Sequence, residues 1–407
     1  MRNLTRRLTL GGLAAAPLSM PALIRAQSTS KPIRIGIMSD MSGPYRDVGG
    51  PGNRHGVELA VADAGGSVLG RPIEVMQADD QNKPDIASTI AREWIDAQGV
   101  DVLMDGAGSS AGLAIQQVAK EKKRPYLITG PSTSDMTGAQ CSPYGVHFIY
   151  DTYALSHGTG TALTRAGGNT WFFITADYAF GTALERDTTA ALTAAGGKVL
   201  GSVRAPLGTA DFSSYLVQAQ ASGAKVIGFA NAGTDLQNCI KQAAEFGLTK
   251  GGARLATLLM AINDVNSLSH KVCEGLVYTD SFYWDLNDGA RAFAKRWGEK
   301  FGGMVPGLLH AGNYCAANHW LKAVKAAGTT DAEAVVAKMK ATPINDFYNT
   351  NVKVREDGRV MHQMYLWQVK KASEAKSKYD FCDNLATIAM DEAWRPLGQG
   401  GCPLTKA

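Results

Sequence analysis

Small and hydroxyl-bearing residues are concentrated between Gly106 and Gly112, in the stretch GAGSSAG. Two patterns that belong to catalysis or cofactor binding fit this spacing. G-x-G-x-x-x-G is close to loops that hold a dinucleotide phosphate, and G-x-S-x-G, centred on Ser110, is typical of a hydrolase nucleophile. A third interpretation is that the loop performs no catalysis. Because a helix start offers free N–H groups to anions, such a loop can instead bind a charged ligand.

A second set of donors, GPSTS at residues 130–134, follows the next apolar run and again precedes an apparent helix start. The carboxyl ends of parallel strands share one edge of an open sheet, and ligands bind at that edge. We therefore expect the two loops to lie side by side. Ser110 and Thr133 would add O–H donors to the backbone N–H groups, which predicts a site for a carboxylate or another anion.

The order of elements around these loops predicts an open α/β sheet. Apolar β runs alternate with helical patterns from Ile33 to Thr129, and the runs are IRIGIMSD, RPIEVMQADD, VDVLMD and PYLIT. The helix between the second and third runs has Asp85 as its predicted N-cap. Strands that alternate with helices in this way form parallel sheets with crossover helices.

The same series returns in the second part of the chain. One short signature recurs almost letter for letter, as AGGSVLG at 64–70 and AGGKVLG at 195–201. In both copies the glycines predict the end of a helix and a turn into the next strand. We therefore predict two Rossmann-like lobes, each a doubly wound, mainly parallel sheet. Three further helical patterns and two β runs follow, with a turn at Asp357–Gly358, and we expect them to complete the two sheets.

Length and charge limit the classes of function. The 407 residues suffice for two domains with hydrophobic cores. Residues 1–26 are typical of a secretory signal with a cut after Ala26, and Arg6-Arg7 makes a weak twin-arginine signal. This leader holds four arginines and no acid, so it accounts for the whole net charge of +4. The remaining chain has no basic field for nucleic acid. We predict a soluble exported protein that does not bind nucleic acid.

The cysteines and histidines predict no metal site and no cofactor. Cys239 and Cys315 lie in helical patterns, where we expect buried free thiols. Cys141 and Cys402 lie in loops beside prolines and could form a disulfide in an oxidising compartment. The seven histidines are scattered singly, without the spacing of a metal site.

The two catalytic interpretations of GAGSSAG depend on its position. The dinucleotide fingerprint belongs to the first strand–helix turn, which here reads SDMSGPYRDVGG and lacks it. The hydrolase interpretation has the right strand–turn–helix context, and Asp280, His310 and His319 follow Ser110 in the order that a triad requires. No H-G-G-G stretch precedes the loop to supply an oxyanion hole. An exported serine hydrolase using Ser110 is our second hypothesis.

The order of motifs over nearly all of the chain after the leader resembles the Leu/Ile/Val-binding type of periplasmic substrate-binding protein, which serves ABC importers. The motifs that carry the resemblance are IRIGIMSDMSGPYRDVGG, GVELAVADAGG, ADDQNKPDIA, TGPSTSD, TADYAFG, ADFSSYLVQAQASGAKVIGFANAG, QAAEFGL and EGLVYTDSFYWD. The resemblance implies a monomeric, non-enzymatic receptor whose two lobes, joined by a three-segment hinge, close on a small ligand. The lobes would comprise residues 32–151 plus 279–361 and residues 152–278 plus 362–407.

By position, the resemblance assigns the ligand's carboxylate to the first lobe. Ser110 and Thr133 match the residues that hold it, with Ser109 and the backbone of Ser132 beside them.

In the second lobe, the resemblance implies an aromatic contact and a strand end that face the ligand. Phe180, in DYAFG, matches the aromatic residue, and Tyr178 and Tyr153 are nearby candidates. Asn231, in ANAG, matches the strand end. Packing between the lobes is the alternative role for Tyr153 and Tyr178.

The sequence departs from the family's pattern at one strand. Amino-acid binders of this family carry an acid near residue 258 that pairs with the ligand's ammonium, whereas this strand reads RLATLLMAI and the next carboxylate is Asp264. A buried, unpaired ammonium is costly. We therefore expect a carboxylate with an apolar or aromatic body, such as an aromatic or short organic acid. The receptor would deliver it to an ABC importer permease; a sensor for a membrane kinase is our third hypothesis.

Overall fold

Strands and helices alternate along most of the chain. A computed structural model describes residues 31–405, so the predicted leader, 1–26, lies outside the described part. The strands within residues 31–405 are β1 (Ile33–Ser39), β2 (Ser67–Val68), β3 (Arg71–Asp79), β4 (Val102–Asp105), β5 (Tyr126–Ile128), β6 (Gly145–His147), β7 (Thr170–Ala176), β8 (Lys198–Ala205), β9 (Val226–Ala230), β10 (Arg254–Thr257), β11 (Val277–Asp280), β12 (Met364–Val369) and β13 (Cys382–Ile388). The α-helices of the same part are α1 (Gly50–Asp63), α2 (Pro84–Asp96), α3 (Ser109–Glu121), α4 (Thr152–Leu155), α5 (Thr161–Arg165), α6 (Ala179–Ala194), α7 (Ser213–Ala221), α8 (Gly233–Glu245), α9 (Ile262–Leu268), α10 (His270–Cys273), α11 (Asp288–Gly298), α12 (Leu308–Ala327), α13 (Ala332–Ala341) and α14 (Met390–Ala393).

The first lobe is built on a six-stranded sheet with the order β2-β3-β1-β4-β5-β6, in which β2 runs antiparallel to β3 and the other pairs are parallel. Successive side chains point to opposite faces. Ile35 and Ile37 belong to the core under α1 and α12, whereas Leu103 belongs to the core under α2 and α3. Both faces are covered, which explains why the strands are continuous apolar runs.

The second lobe contains a four-stranded parallel sheet with the order β10-β9-β7-β8. Trp171 and Phe173 on one face pack in the core that includes α6, and Phe172 and Ile174 on the other face pack with α7 and α8. The prediction of two mainly parallel lobes is confirmed.

The repeated glycine signature ends a helix in both lobes, as predicted. Gly65 and Gly196 have φ values of +78° and +86°, in the left-handed region that glycine adopts without strain. The next glycines, Gly66 and Gly197, donate their N–H groups to the carbonyls of Val61 and Leu192, which completes the helix-ending motif.

The late β runs do not complete the two parallel sheets, so that prediction is wrong. The run before Asp357–Gly358 forms only isolated bridges, such as Ile344 with Val352. The second run forms β12, which pairs antiparallel with β11 and β13 in a separate three-stranded sheet. The segment between β12 and β13 carries only a short 3₁₀ turn, Ala372–Glu374, and no crossover helix returns the chain in the parallel direction.

The predicted N-cap of α2 is also wrong by two residues. The helix begins at Pro84, with Lys83 as its cap and Asp85 in the first turn. Proline favours the first helical position, since its missing N–H would have no partner there.

Buried contacts join segments that lie far apart in the chain. Arg359 forms an ion pair with Asp151 at 3.3 Å, and its guanidinium lies 4.5 Å from the centre of the Trp394 ring. Cys141 and Cys402 are joined by a disulfide. This bond joins two segments that the sequence analysis assigns to different lobes, and the lobe limits stay predictions.

Candidate ligand-binding cleft

A cleft between the lobes gathers the carboxyl ends of several parallel strands. Its first-lobe wall contains residues that follow β1, β4 and β5, and its second-lobe wall contains residues that follow β7, β9 and β10. Leu308 and Leu309, at the start of α12, close part of it. In open α/β sheets this edge is where ligands bind.

Ser109 is the first residue of α3, and its hydroxyl connects the two predicted loops. The buried Oγ accepts hydrogen bonds from the N–H groups of Ser132, at 3.3 Å, and Thr133, at 3.1 Å. The helix comes this close because Gly112 has no side chain, since a Cβ there would overlap Pro131. Ser109 and Ser132 both line the cleft. Because both N–H groups already donate to Ser109 Oγ, the donors left for a ligand carboxylate are the Ser109 O–H proton and the free N–H groups of the first turn of α3.

The other predicted side chains of these loops do not reach the cleft wall. Ser110 is half-buried one position further along α3. Thr133 is buried, and its hydroxyl accepts the N–H of Asp135 at 3.3 Å and so caps the short turn at Ser134–Thr137. Thr133 therefore contributes to the loop through its backbone.

Two of the predicted second-lobe residues also lie away from the cleft wall. Asn231 is buried and donates to the Sγ of Cys239 at 3.2 Å. Tyr153 stacks on His157, with ring centres 3.8 Å apart, in a separate groove. The neighbours of Asn231, Ala232 and Gly233, line the cleft in its place.

Tyr178 and Phe180 do line the cleft, and Tyr178 also joins the lobes. Its hydroxyl is hydrogen-bonded to that of Tyr45 in the first lobe. Beside this pair, Thr234 donates its N–H to the carbonyl of Pro44 at 3.1 Å. Burial raises the pKa of Tyr178 above its ordinary value, so its hydroxyl keeps its proton. The lobes are therefore in contact across the cleft, and sequence patterns offered no signal for Tyr45.

Three carboxyl groups line the cleft, and they change the charge expected of it. Asp40, Asp105 and Asp264 all lie in its wall, whereas no Lys, Arg or His of residues 31–405 does. Burial raises the pKa of Asp105 and of Asp264 to about 6. The sequence led us to expect no acid for a ligand ammonium in this wall, but the structure places Asp264 there. The sequence did contain a positional signal for these acids. Asp40 follows the end of β1, Asp105 is the last residue of β4, and Asp264 lies in the first turn of α9, which follows β10.

The structure does not assemble the catalytic residues of a hydrolase. His310 accepts the N–H of Gly307 at 3.0 Å and lies 3.2 Å from the carbonyl of Gly49. His319 contacts the carbonyl of Met339 at 3.0 Å. Within residues 31–405, neither histidine contacts Ser110.

None of the helices in residues 31–405 has the length and apolar character needed to cross a membrane.

Known proteins share this chain's sequence and architecture. Residues 32–375 match the family described as periplasmic binding protein. Leu/Ile/Val-binding protein homolog 6 of Brucella melitensis is 26% identical over 245 residues, which is 60% of this chain and 62% of that relative. The chain thus matches less than two thirds of the length of these curated relatives.

Two crystal structures are similar over almost the whole described chain. A periplasmic binding protein from Burkholderia mallei is 48% identical and superimposes with a TM-score of 0.90, covering 92% of this chain and 99% of the other. A branched chain amino acid ABC transporter periplasmic ligand-binding protein from Burkholderia xenovorans is 39% identical, with a TM-score of 0.81, covering 92% and 100%. With its family match over residues 32–375, this chain belongs to the periplasmic binding protein family.

Proposed function

We propose that the protein is a periplasmic receptor that closes its lobes on a small carboxylate-bearing ligand and delivers it to the permease of an ABC importer. The observation that carries the proposal is the position of Ser109 in the cleft wall at the start of α3, where the N–H groups of Ser132 and Thr133 donate to its Oγ and leave its O–H proton for a ligand. A carboxylate is the simplest ligand group that accepts from a hydroxyl and free N–H groups at a helix N-terminus.

The rest of the cleft wall suits a ligand with an apolar body. Val48, Leu259, Met260, Leu308 and Leu309 line it together with Phe180. Small-molecule sites are built in this way, with few polar groups fixing the orientation and apolar side chains filling the volume. An aromatic or other organic acid, as expected from the sequence, and an amino acid both have this character.

Relatives support the transport role. The B. xenovorans protein, at 39% identity, is described as part of a branched chain amino acid transporter. A Rhodopseudomonas palustris protein of the same fold is in complex with benzoate, but at 22% identity it shows only that the fold holds such a ligand. The ligand class of this chain therefore has to be measured.

The test is a thermal-shift panel of leucine, phenylalanine, benzoate, 4-hydroxybenzoate and short aliphatic acids. A ligand present at 100 times its Kd stabilises a protein by about 2.7 kcal/mol, which raises Tm measurably. We expect at least one carboxylate to do so, and Ser109→Ala to abolish the shift. Ser110→Ala is the matched control, since it removes the neighbouring hydroxyl outside the cleft wall and should leave the shift intact.

Two outcomes would overturn this proposal. If no carboxylate raises Tm, the receptor role fails. If Ser110→Ala rather than Ser109→Ala abolishes the effect, and a serine-directed phosphonate labels the protein, the hydrolase hypothesis replaces it.

Loss of uptake of the stabilising ligand in cells lacking the protein would separate import from sensing.

A further inference from the structure

We propose that Asp105 and Asn53 form a second subsite in the first-lobe wall, which binds a hydrogen-bond donor carried by the carboxylate ligand, either an ammonium or a hydroxyl group. This inference rests on the proposed receptor function and adds a substrate class to it.

The backbone that presents Asp105 is held in an uncommon conformation. Asp105, Gly106 and Ala107 have φ values of +68°, +100° and +41°, and only glycine adopts this region freely. Residues held in such regions cluster at functional sites. Two hydrogen bonds hold this conformation. The Tyr126 hydroxyl donates to the carbonyl of Asp105 at 2.5 Å, and the N–H of Gly106 donates to the carbonyl of Met38 at 2.6 Å. The strand thus ends in a turn that leaves Asp105 in the cleft wall.

Asp105 and Asn53 are almost completely buried, and each has an oxygen without a partner. Asp105 Oδ2 accepts from Ser39 Oγ at 2.5 Å and from Asn53 Nδ2 at 2.6 Å. Asp105 Oδ1 and Asn53 Oδ1 have no hydrogen-bond donor within residues 31–405. The backbone N–H of Ala107 favours the charged form of Asp105 and so acts to lower its pKa.

Unpartnered buried acceptors predict a donor from outside the chain. Leaving such a buried oxygen unpaired is unfavourable, so native structures supply water or a ligand. Both residues line the same cleft as Ser109. A ligand whose carboxylate binds at Ser109 and whose donor binds at Asp105 would use both polar parts of the first-lobe wall at once.

The charge of the cleft points the same way. Three acids and no basic side chain line it in the described part of the chain, so a ligand carrying only a carboxylate meets like charges. A donor on the ligand, above all an ammonium, offsets this repulsion.

The test uses sets of three acids with one carbon skeleton: leucine, 2-hydroxy-4-methylpentanoate and 4-methylpentanoate, and the matching phenylalanine, 3-phenyllactate and 3-phenylpropanoate. Calorimetry on the full-length mature protein should give at least a tenfold lower Kd for a donor-bearing member than for the plain acid. Asp105→Asn should reduce this preference to less than threefold. Asp47→Asn is the control, because it removes an equal charge from an exposed residue outside the cleft wall.

The outcomes separate the two proposals. If every member of a set binds equally well, the donor subsite is wrong and the receptor function survives. If the preference persists in Asp105→Asn but disappears in Asp264→Asn, the donor binds on the opposite lobe and the assignment to Asp105 and Asn53 is wrong. If none of the six acids and no member of the wider panel binds, the receptor function itself fails.

A measurement on the unaltered protein covers the case in which Asp105→Asn does not fold. Burial, and then the charge of Asp40, raise the pKa of Asp105 to about 6. Asp40, Asp80 and Tyr126 are the titratable groups that face it from the neighbouring strands, and Asp264 lies across the cleft. An ammonium-bearing ligand needs ionised carboxyls, so its affinity should fall about tenfold between pH 7.5 and pH 5. An affinity of the amino acid that instead rises as the pH falls would contradict a bound ammonium.

Discussion

At the scale of single residues, one position along a helix decides which serine lines the cleft. Ser109 and Ser110 are adjacent in the sequence, but successive helical residues point about 100° apart. Ser109 Oγ therefore accepts the N–H groups of Ser132 and Thr133, whereas Ser110 does not line the cleft. The motif G-x-S-x-G centres on Ser110, and so it named the residue next to the one that contacts the second loop.

The buried acid Asp80 predicts how the stability of the protein depends on pH. Burial raises the pKa of Asp80 to about 8, and the charges of Asp105, Asp40 and Asp79 add to the shift. The folded protein thus holds this proton more tightly than the unfolded chain does. Between about pH 4 and pH 8 this group lowers the free energy of unfolding by about 1.4 kcal/mol for each unit that the pH rises.

Asp80→Asn removes that proton equilibrium. The Tm of the variant minus the Tm of the unaltered protein should therefore increase from pH 5 to pH 9. Thermal unfolding of both proteins across this range measures the difference. The exposed acid Asp96 provides the control, since Asp96→Asn should shift Tm by the same small amount at each pH. A Tm difference for Asp80→Asn that does not change with pH would be evidence against the raised pKa.

At the scale of elements, the packing of α3 explains the last glycine of GAGSSAG. Gly112 lies where α3 crosses the loop of Pro131, and a Cβ there would overlap the proline ring and approach Met136 within 2.8 Å. The glycine thus serves the contact between a helix and a loop and not the approach of a phosphate. This contact sets the distance between Ser109 and the N–H groups that it accepts.

Gly112→Ala should separate these two elements. Alanine favours helices over glycine by about 1 kcal/mol, but overpacking costs about 1–3 kcal/mol. We expect a lower free energy of unfolding in urea and a smaller Tm shift with the stabilising carboxylate. Gln117→Ala, on the exposed side of the same helix, should change neither quantity. A Gly112→Ala protein that is more stable and binds normally would show that the loop can move aside.

At the scale of the whole molecule, the end of the chain ties the lobes together. β13 pairs with β12 in the antiparallel sheet, α14 contacts α4, and the chain then reaches the loop that follows β5. There Arg395 donates to the carbonyl of Ser134 at 2.9 Å, and the disulfide joins Cys402 to Cys141 over a separation of 261 residues.

Loss of the disulfide should lower the stability of the whole protein. Replacing both cysteines, in Cys141→Ser/Cys402→Ser, should decrease the free energy of unfolding by about 2–5 kcal/mol. Thermal unfolding with and without a reducing agent measures this effect. Reduction should lower the Tm of the unaltered protein and leave the double variant unchanged, because the remaining cysteines described in residues 31–405 are buried and free. Equal Tm values for both oxidised proteins would contradict a stabilising bond.

Local patterns alone predict the alternation of strands and helices, the glycine helix ends at Gly65 and Gly196, and the two donor loops that follow β4 and β5. These features depend on hydrophobic period and backbone conformation, which neighbouring residues determine. Tertiary structure decided the rest. Three features join residues that are far apart in the chain. They are the separate antiparallel sheet, the hydrogen bond between Tyr45 and Tyr178, and the grouping of Asp40, Asp105 and Asp264 around the cleft. A sequence states which strand end each acid follows, but only the packing of the two lobes brings those ends around one cleft and gives it a negative wall.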